Sequence, residues 1–178
     1  YDFSGKSKRR AFLASPMEFS RITSGFAMRL HPIHQEMRAH LGVDYGAPTG
    51  TAARSVADGV VETAGWNGGY GNMVVVRHSA DKSTLYAHLS RVDVKRGERI
   101  LQGQRVGLVG ATGTATGPHL HFEFRVNGRH MDPLKVARNA QPIPLAESSR
   151  PAFTASVEQF QSKLMVASTL VGTSERGD

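Results

Sequence analysis

The segment PHLHFEFRV, residues 118–126, restricts the fold more than any other part of the chain. Leu120, Phe122, Phe124 and Val126 alternate strictly with His119, His121, Glu123 and Arg125. A period of two is the signature of an extended strand, so the apolar set forms one face and the polar set the other. Four large apolar groups in a row define a core face. The opposite face carries two imidazoles about 7 Å apart along the strand. Burying two polar rings in a core without partners is costly, so the alternation favours a cleft-facing site.

The surroundings of this segment read as β from Gly59 to Val126. Gly59–Trp66, Met73–His78, Ser83–Leu89 and Arg105–Val109 are apolar or β-branched runs between glycine-marked turns, and Asn127-Gly128 closes the run that starts at Leu120. Short connections between neighbouring strands imply an antiparallel sheet. In Ser83–Leu89 the alternation puts Leu85, Ala87 and Leu89 on the core face, with Tyr86 and His88 opposite. Near the C-terminus Phe153, Val157, Phe160 and Leu164 recur at helical spacing, which predicts an amphipathic helix covering an edge of the sheet. The fold expected is mainly β, with short helices and this C-terminal helix. No glycine-rich turn opens a helix, so there is no dinucleotide fingerprint.

Composition narrows the chemistry. The 178 residues include no cysteine, which excludes a disulfide scaffold, a thiolate metal site and a cysteine nucleophile. Any metal must be held by His, Asp or Glu, and there are eight His. Lys and Arg number 22 against 15 Asp and Glu, a net charge of +7. That excess suits an anionic polymer, an anionic lipid or nucleic acid. Aromatics are 7% of the chain and are not interleaved with basic residues as stacking motifs require, which argues against nucleic acid. No apolar run reaches the roughly 20 residues of a membrane span. The chain opens at Tyr1 in mid-sequence style and reads as part of something longer.

Five polar residues stand out: His40, Asp44, His88, His119 and His121. In HLGVD (40–44), Gly42 and the following Gly46-Ala47-Pro48 argue against a helix. An extended chain places His40 and Asp44 on one side, with only a glycine between them to block a shared ion. Neutral imidazoles and a carboxylate suit zinc. The loop GATGTATGPH (110–119), with Thr112 and Thr114, offers exposed N–H groups to an extended peptide or an oxyanion. Tyr86, on the same expected face as His88, is a second groove candidate. His34, His78 and His130 have no such context and read as structural. Spacing alone leaves open which histidines bind metal and which move protons.

At these residues the chain resembles the LytM/lysostaphin-type zinc metallopeptidases. The motifs HLGVD (40–44), YAHLS (86–90) and TGPHLHFE (116–123) occur in the family's order, with GGYGNMVVVRH and GQRVGLVGATG between them. The upstream SPMEFSRITSGFAMRLHPI is similar to the Gram-negative, envelope-associated branch. The resemblance implies a LytM-like antiparallel domain with a groove over 22–142; outside it the residues themselves read as an N-terminal arm (1–21) packing on the domain and a C-terminal extension (143–178). It implies that His40, Asp44 and His121 hold one Zn ion, that His88 and His119 are catalytic, and that His31 lines the groove. It further implies a peptidoglycan endopeptidase acting in the periplasm or cell envelope. The bond implied is a D-Ala–meso-diaminopimelate cross-link, and the parent protein would carry upstream regulatory domains and a signal or anchor. The charge then reads as affinity for anionic envelope polymers. The alternative is a non-catalytic relative that activates a cell-wall amidase. Such relatives typically lack zinc ligands or catalytic histidines, and here none is missing.

Overall fold

The pairing of the β-branched runs builds the molecule. The computed structural model describes residues 1–5, 7, 9–19, 21–30, 37–142 and 144–174, with side chains for all of these but 28–30, 37–39 and 168–174. The strands are β1 (Arg21–Ser24), β2 (Ala27–Leu30), β3 (Met37–His40), β4 (Val43–Gly46), β5 (Ala52–Arg54) and β6 (Gly59–Trp66). They continue with β7 (Asn72–Arg77), β8 (Lys82–Val92), β9 (Arg99–Ile100), β10 (Arg105–Val109), β11 (His119–Val126) and β12 (Arg129–Met131). Ten of them form one sheet, in which the order β1-β4-β11-β8-β7-β6-β9 is extended by β10 and β5 beside β8 and by β12 beside β11. β2 and β3 pair as a separate ribbon. Every pairing among the described residues is antiparallel, as the short connections predict. Asn127 and Gly128 both take positive φ (50° and 74°), the conformation a two-residue hairpin of right-handed twist requires.

The sheet buries apolar side chains on both faces. One face contributes Val43, Tyr45, Val74, Val76, Tyr86, Leu89, Leu120 and Phe122 to the main core. The other carries a smaller cluster of Met73, Val75, Leu85 and Ala87, with Tyr70 packed against it. The expected facing of β8 is therefore corrected. Tyr86 is wholly buried in the main core, where its hydroxyl accepts from the Val56 N–H at 3.0 Å. Leu85 and Ala87 lie opposite Glu123 and His121, on the face of the site.

The residues divide into two compact units, Phe12–Ala140 and Tyr1–Ala11 with Gln141–Asp178. In the first, the segment before β1 packs through Met17, and the Leu13 N–H donates to Val56 O at 2.8 Å. Helix α1 (Pro133–Asn139) closes this unit, its N-terminus capped by the Asp132 carboxylate. The second unit holds helix α2 (Arg150–Ser174). The predicted helix forms. Phe160 and Leu164 are each 60% exposed, and Phe153 packs edge-on against the ring of Tyr1 at 5.9 Å. Among the described residues no helix is long and apolar enough to cross a membrane.

Candidate metal and catalytic site

β3, β4 and β11 bring three donor atoms together. His40 ends β3, and the chain turns through Leu41 and Gly42 before β4 starts at Val43, so His40 and Asp44 do not share one continuous strand as expected. The turn still lets them converge: His40 Nε2 lies 3.1 Å from Asp44 Oδ1. Asp44 sits directly opposite His121 in the β4–β11 pairing, and His121 Nδ1 is 2.8 Å from the same oxygen. His40 Nε2 and His121 Nδ1 are 3.3 Å apart, which closes a triangle. All three residues are buried. Gly42 is required here, because a Cβ at that position would stand 2.7 Å from His121 Cε1 and 2.6 Å from the Phe122 carbonyl.

The triangle fits zinc. Donors roughly 2.05 Å from one tetrahedral ion stand roughly 3.3 Å from each other. The three sides here are 2.8, 3.1 and 3.3 Å. Two imidazole nitrogens with one carboxylate oxygen are a zinc donor set that leaves a fourth position open. His40, Asp44 and His121 are thus a cluster that could hold a metal ion. The electrostatics agree with a site built for a cation. Burial raises the Asp44 carboxyl, but its bonds to His121 and His40 outweigh this and hold it well below the usual carboxylate range.

Two more imidazoles flank the triangle. His119 Nε2 lies 3.8 Å from Asp44 Oδ1, and the His88 ring is 4.8 Å from His119 and 5.9 Å from His121, centroid to centroid. His88 reaches this face through a bulge. Leu89 pairs with Asn72 and Tyr86 with Val74, so β8 spends one more residue than β7 between the two pairs. His88 itself adopts φ +60°, a left-handed conformation that costs a non-glycine residue about 1–3 kcal/mol. Strict alternation from Tyr86 would turn the ring into the main core. The bulge re-aims it, a recurrent use of such irregularities beside functional sites.

Each of the four rings is held by its other nitrogen. The carbonyls of Gly25, Thr112 and Gly117 accept from Nδ1 of His40, His88 and His119 at 2.7, 2.8 and 2.8 Å. A carbonyl can only accept, so each Nδ1 carries the proton and each Nε2 is left as the free lone pair. His121 uses the opposite arrangement, with Nε2 donating to Glu123 Oε1 at 3.1 Å and Nδ1 facing Asp44. Burial, with the nearby His119 and His121, pushes His88 down against its Thr112 bond, which favours a neutral ring.

The remaining sequence candidates are placed as follows. The Thr112 hydroxyl donates to Leu89 O at 2.9 Å and accepts from the Asn72 N–H at 3.0 Å. Thr114 Oγ1 donates to Gly69 O at 3.0 Å. Thr112 therefore binds the 110–117 loop to β8 and the start of β7, and Thr114 binds it to the turn before β7. Tyr86, buried in the core, does not line a groove. His31 and His34 lie outside the described residues. His78 bonds Asp58 O and Thr84 Oγ1, as a structural histidine should. Sequence reasoning missed Glu123, Tyr70 and His130 as a group. Tyr70 donates to Glu123 Oε1 at 2.7 Å and His130 Nε2 meets Oε2 at 3.0 Å. Glu123's place on the imidazole face was the one signal available.

Residues 38–133 match the description "Peptidase family M23". The chain is 45% identical over 165 residues to the peptidoglycan DD-endopeptidase ShyC of Vibrio cholerae, covering 92% of this chain and 38% of that protein. It thus spans little more than a third of that relative's length. A crystal structure of a zinc containing peptidase from Vibrio cholerae aligns with a TM-score of 0.68 at 39% identity, over 75% of this chain and 42% of that one. The catalytic domain of lysostaphin from Staphylococcus simulans aligns with a TM-score of 0.61 at 30% identity, over 67% of this chain and 93% of that domain. The family match over more than half the chain and the likeness to the whole lysostaphin domain agree with the His-Asp-His triangle: the chain belongs to peptidase family M23.

Proposed function

We propose that this protein is a zinc-dependent endopeptidase that hydrolyses the peptide cross-links of peptidoglycan in the cell envelope, at the D-Ala–meso-diaminopimelate bond. The observation that carries the reading is the buried His40–Asp44–His121 triangle flanked by the rings of His88 and His119, each bonded through Nδ1 to a carbonyl with Nε2 left free. Residues 22–142 are the catalytic domain in this reading, with the segments on either side as arm and extension. His40, Asp44 and His121 hold the ion. Zinc, when bound, supplies a Lewis acid that polarises the scissile carbonyl and brings water toward ionisation near neutral pH.

The chain's own groups do the rest. His88 and His119 stand beside the reacting centre with Nδ1 protonated and Nε2 available. One free Nε2 accepts a proton from the attacking water and later returns it to the leaving amine. The other, when protonated, donates to the developing oxyanion. The loop braced by Thr112 and Thr114 fixes the carbonyl that orients His88. The net charge of +7 supports retention on anionic envelope polymers. The adaptor alternative is disfavoured, because both catalytic histidines and all three ligands are present.

The test is digestion of purified sacculi by the wild type and by His119→Ala. The wild type should release un-cross-linked muropeptides, and the variant should do so at least about 100-fold more slowly. Equal release by both, or release by neither, refutes the reading.

A further inference from the structure

We infer that Glu123 is a positioning residue for the metal site, its carboxylate setting the orientation and donor strength of His121. This rests on the reading that His40, Asp44 and His121 hold zinc. Glu123 is 1% exposed, yet it meets five polar contacts. Oε1 accepts from Tyr70 Oη at 2.7 Å and from His121 Nε2 at 3.1 Å. Oε2 accepts from Arg125 at 2.9 Å (Nε) and 2.6 Å (Nη2) and meets His130 Nε2 at 3.0 Å.

Two observations separate this arrangement from an ordinary buried ion pair. First, three of the four imidazoles at the site are held by neutral carbonyls, and only His121 is held by a carboxylate. A charged acceptor on the far nitrogen makes the near nitrogen a stronger metal donor and keeps the ring from turning over. Second, the carboxylate is itself immobilised. Tyr70 comes from the turn before β7, Arg125 from β11 and His130 from β12. The carboxylate therefore cannot follow His121 if the ring moves, and the ring is fixed relative to the sheet. A buried pair is weak grounds for claiming stability. The consequence that the geometry does support is orientation.

Glu123→Gln is nearly the same size but breaks the arrangement. Its amide nitrogen must face either Arg125 and His130 or Tyr70 and His121, all of them donors to the native carboxylate. The experiment measures zinc affinity by chelator competition on the full 178-residue chain. It also records the visible d–d spectrum of the cobalt-substituted protein, which reports donor strength and not fold stability. For Glu123→Gln the zinc dissociation constant should rise about 10- to 100-fold and the cobalt bands should shift. Tyr70→Phe, which removes one hydroxyl, should give a smaller loss in the same direction and decides the matter if Glu123→Gln does not fold. A folded variant with the affinity and the cobalt spectrum of the wild type overturns the inference. Wild-type protein that binds no zinc overturns the metal reading beneath it.

Discussion

Adding one methyl group at Gly42 should disable the metal site while leaving the sheet intact. A Cβ there would lie 2.6 Å from the Phe122 carbonyl oxygen, 2.7 Å from His121 Cε1 and 2.9 Å from His121 Nε2. Ordinary contact begins near 3.4 Å, so the backbone or the ring must give by about 0.7–0.8 Å. The Phe122 carbonyl belongs to the sheet and resists, so the displacement falls on the Leu41–Gly42 turn that joins His40 to Asp44 and on the His121 ring. A shift of that size opens the donor triangle and strains the Nε2 bond to Glu123, 3.1 Å in the native arrangement. Misplacement of a catalytic group by about 1 Å can cost on the order of 100-fold in rate. The overpacking itself costs about 1–3 kcal/mol of stability. Gly42→Ala should thus remain folded by circular dichroism, bind zinc at least about tenfold more weakly, and release muropeptides from sacculi about 100-fold more slowly. A folded variant with wild-type zinc affinity and activity would refute the claim that Gly42 is glycine to make room for His121.

Two further outcomes test the supporting structure. Tyr86→Phe removes the acceptor of the buried Val56 N–H and a partner of Thr84 Oγ1, so urea unfolding should show a loss of about 1–3 kcal/mol with zinc affinity unchanged; no loss of stability would show that the hydroxyl is replaceable. His78 is pushed below its ordinary 6.5 by burial, against the opposing bond to Asp58 O, so the folded state favours the neutral ring. The unfolded chain then binds more protons just below pH 6.5, and stability falls as pH drops from there through the folded value. The fall with pH should be less steep in His78→Gln than in the wild type, and equal slopes in the two proteins would remove His78 as its source.

Much of the site was legible in one dimension because its residues lie on strands or at strand ends. In β11 the alternation sorts His119, His121 and Glu123 from Leu120, Phe122 and Phe124, and the structure follows that sorting residue for residue. The same rule failed in β8. Tyr86 went to the core and His88 to the site because one extra residue in the strand reverses the facing after Ala87. A bulge depends on how the neighbouring strand is registered, so alternation within β8 could not reveal it. The amphipathic period in α2 predicted the helix correctly, but periodicity says only which face is apolar and not whether anything covers it.

Residue type alone narrowed the possible donors. With no cysteine, a metal could be held only by His and carboxylates, and the family resemblance carried by three motifs in order implied His40, Asp44 and His121. The antiparallel β class followed from strand-length apolar runs joined by short turns. Tertiary structure alone decided which nitrogen of each ring faces the site, because that depends on carbonyls and a carboxylate supplied by other segments. It also decided the partnership of Glu123 with Tyr70, which lies 53 residues away in the chain. Short-range pattern records side-chain type and facing, whereas hydrogen-bond partners across such separations are fixed only when the strands take their register.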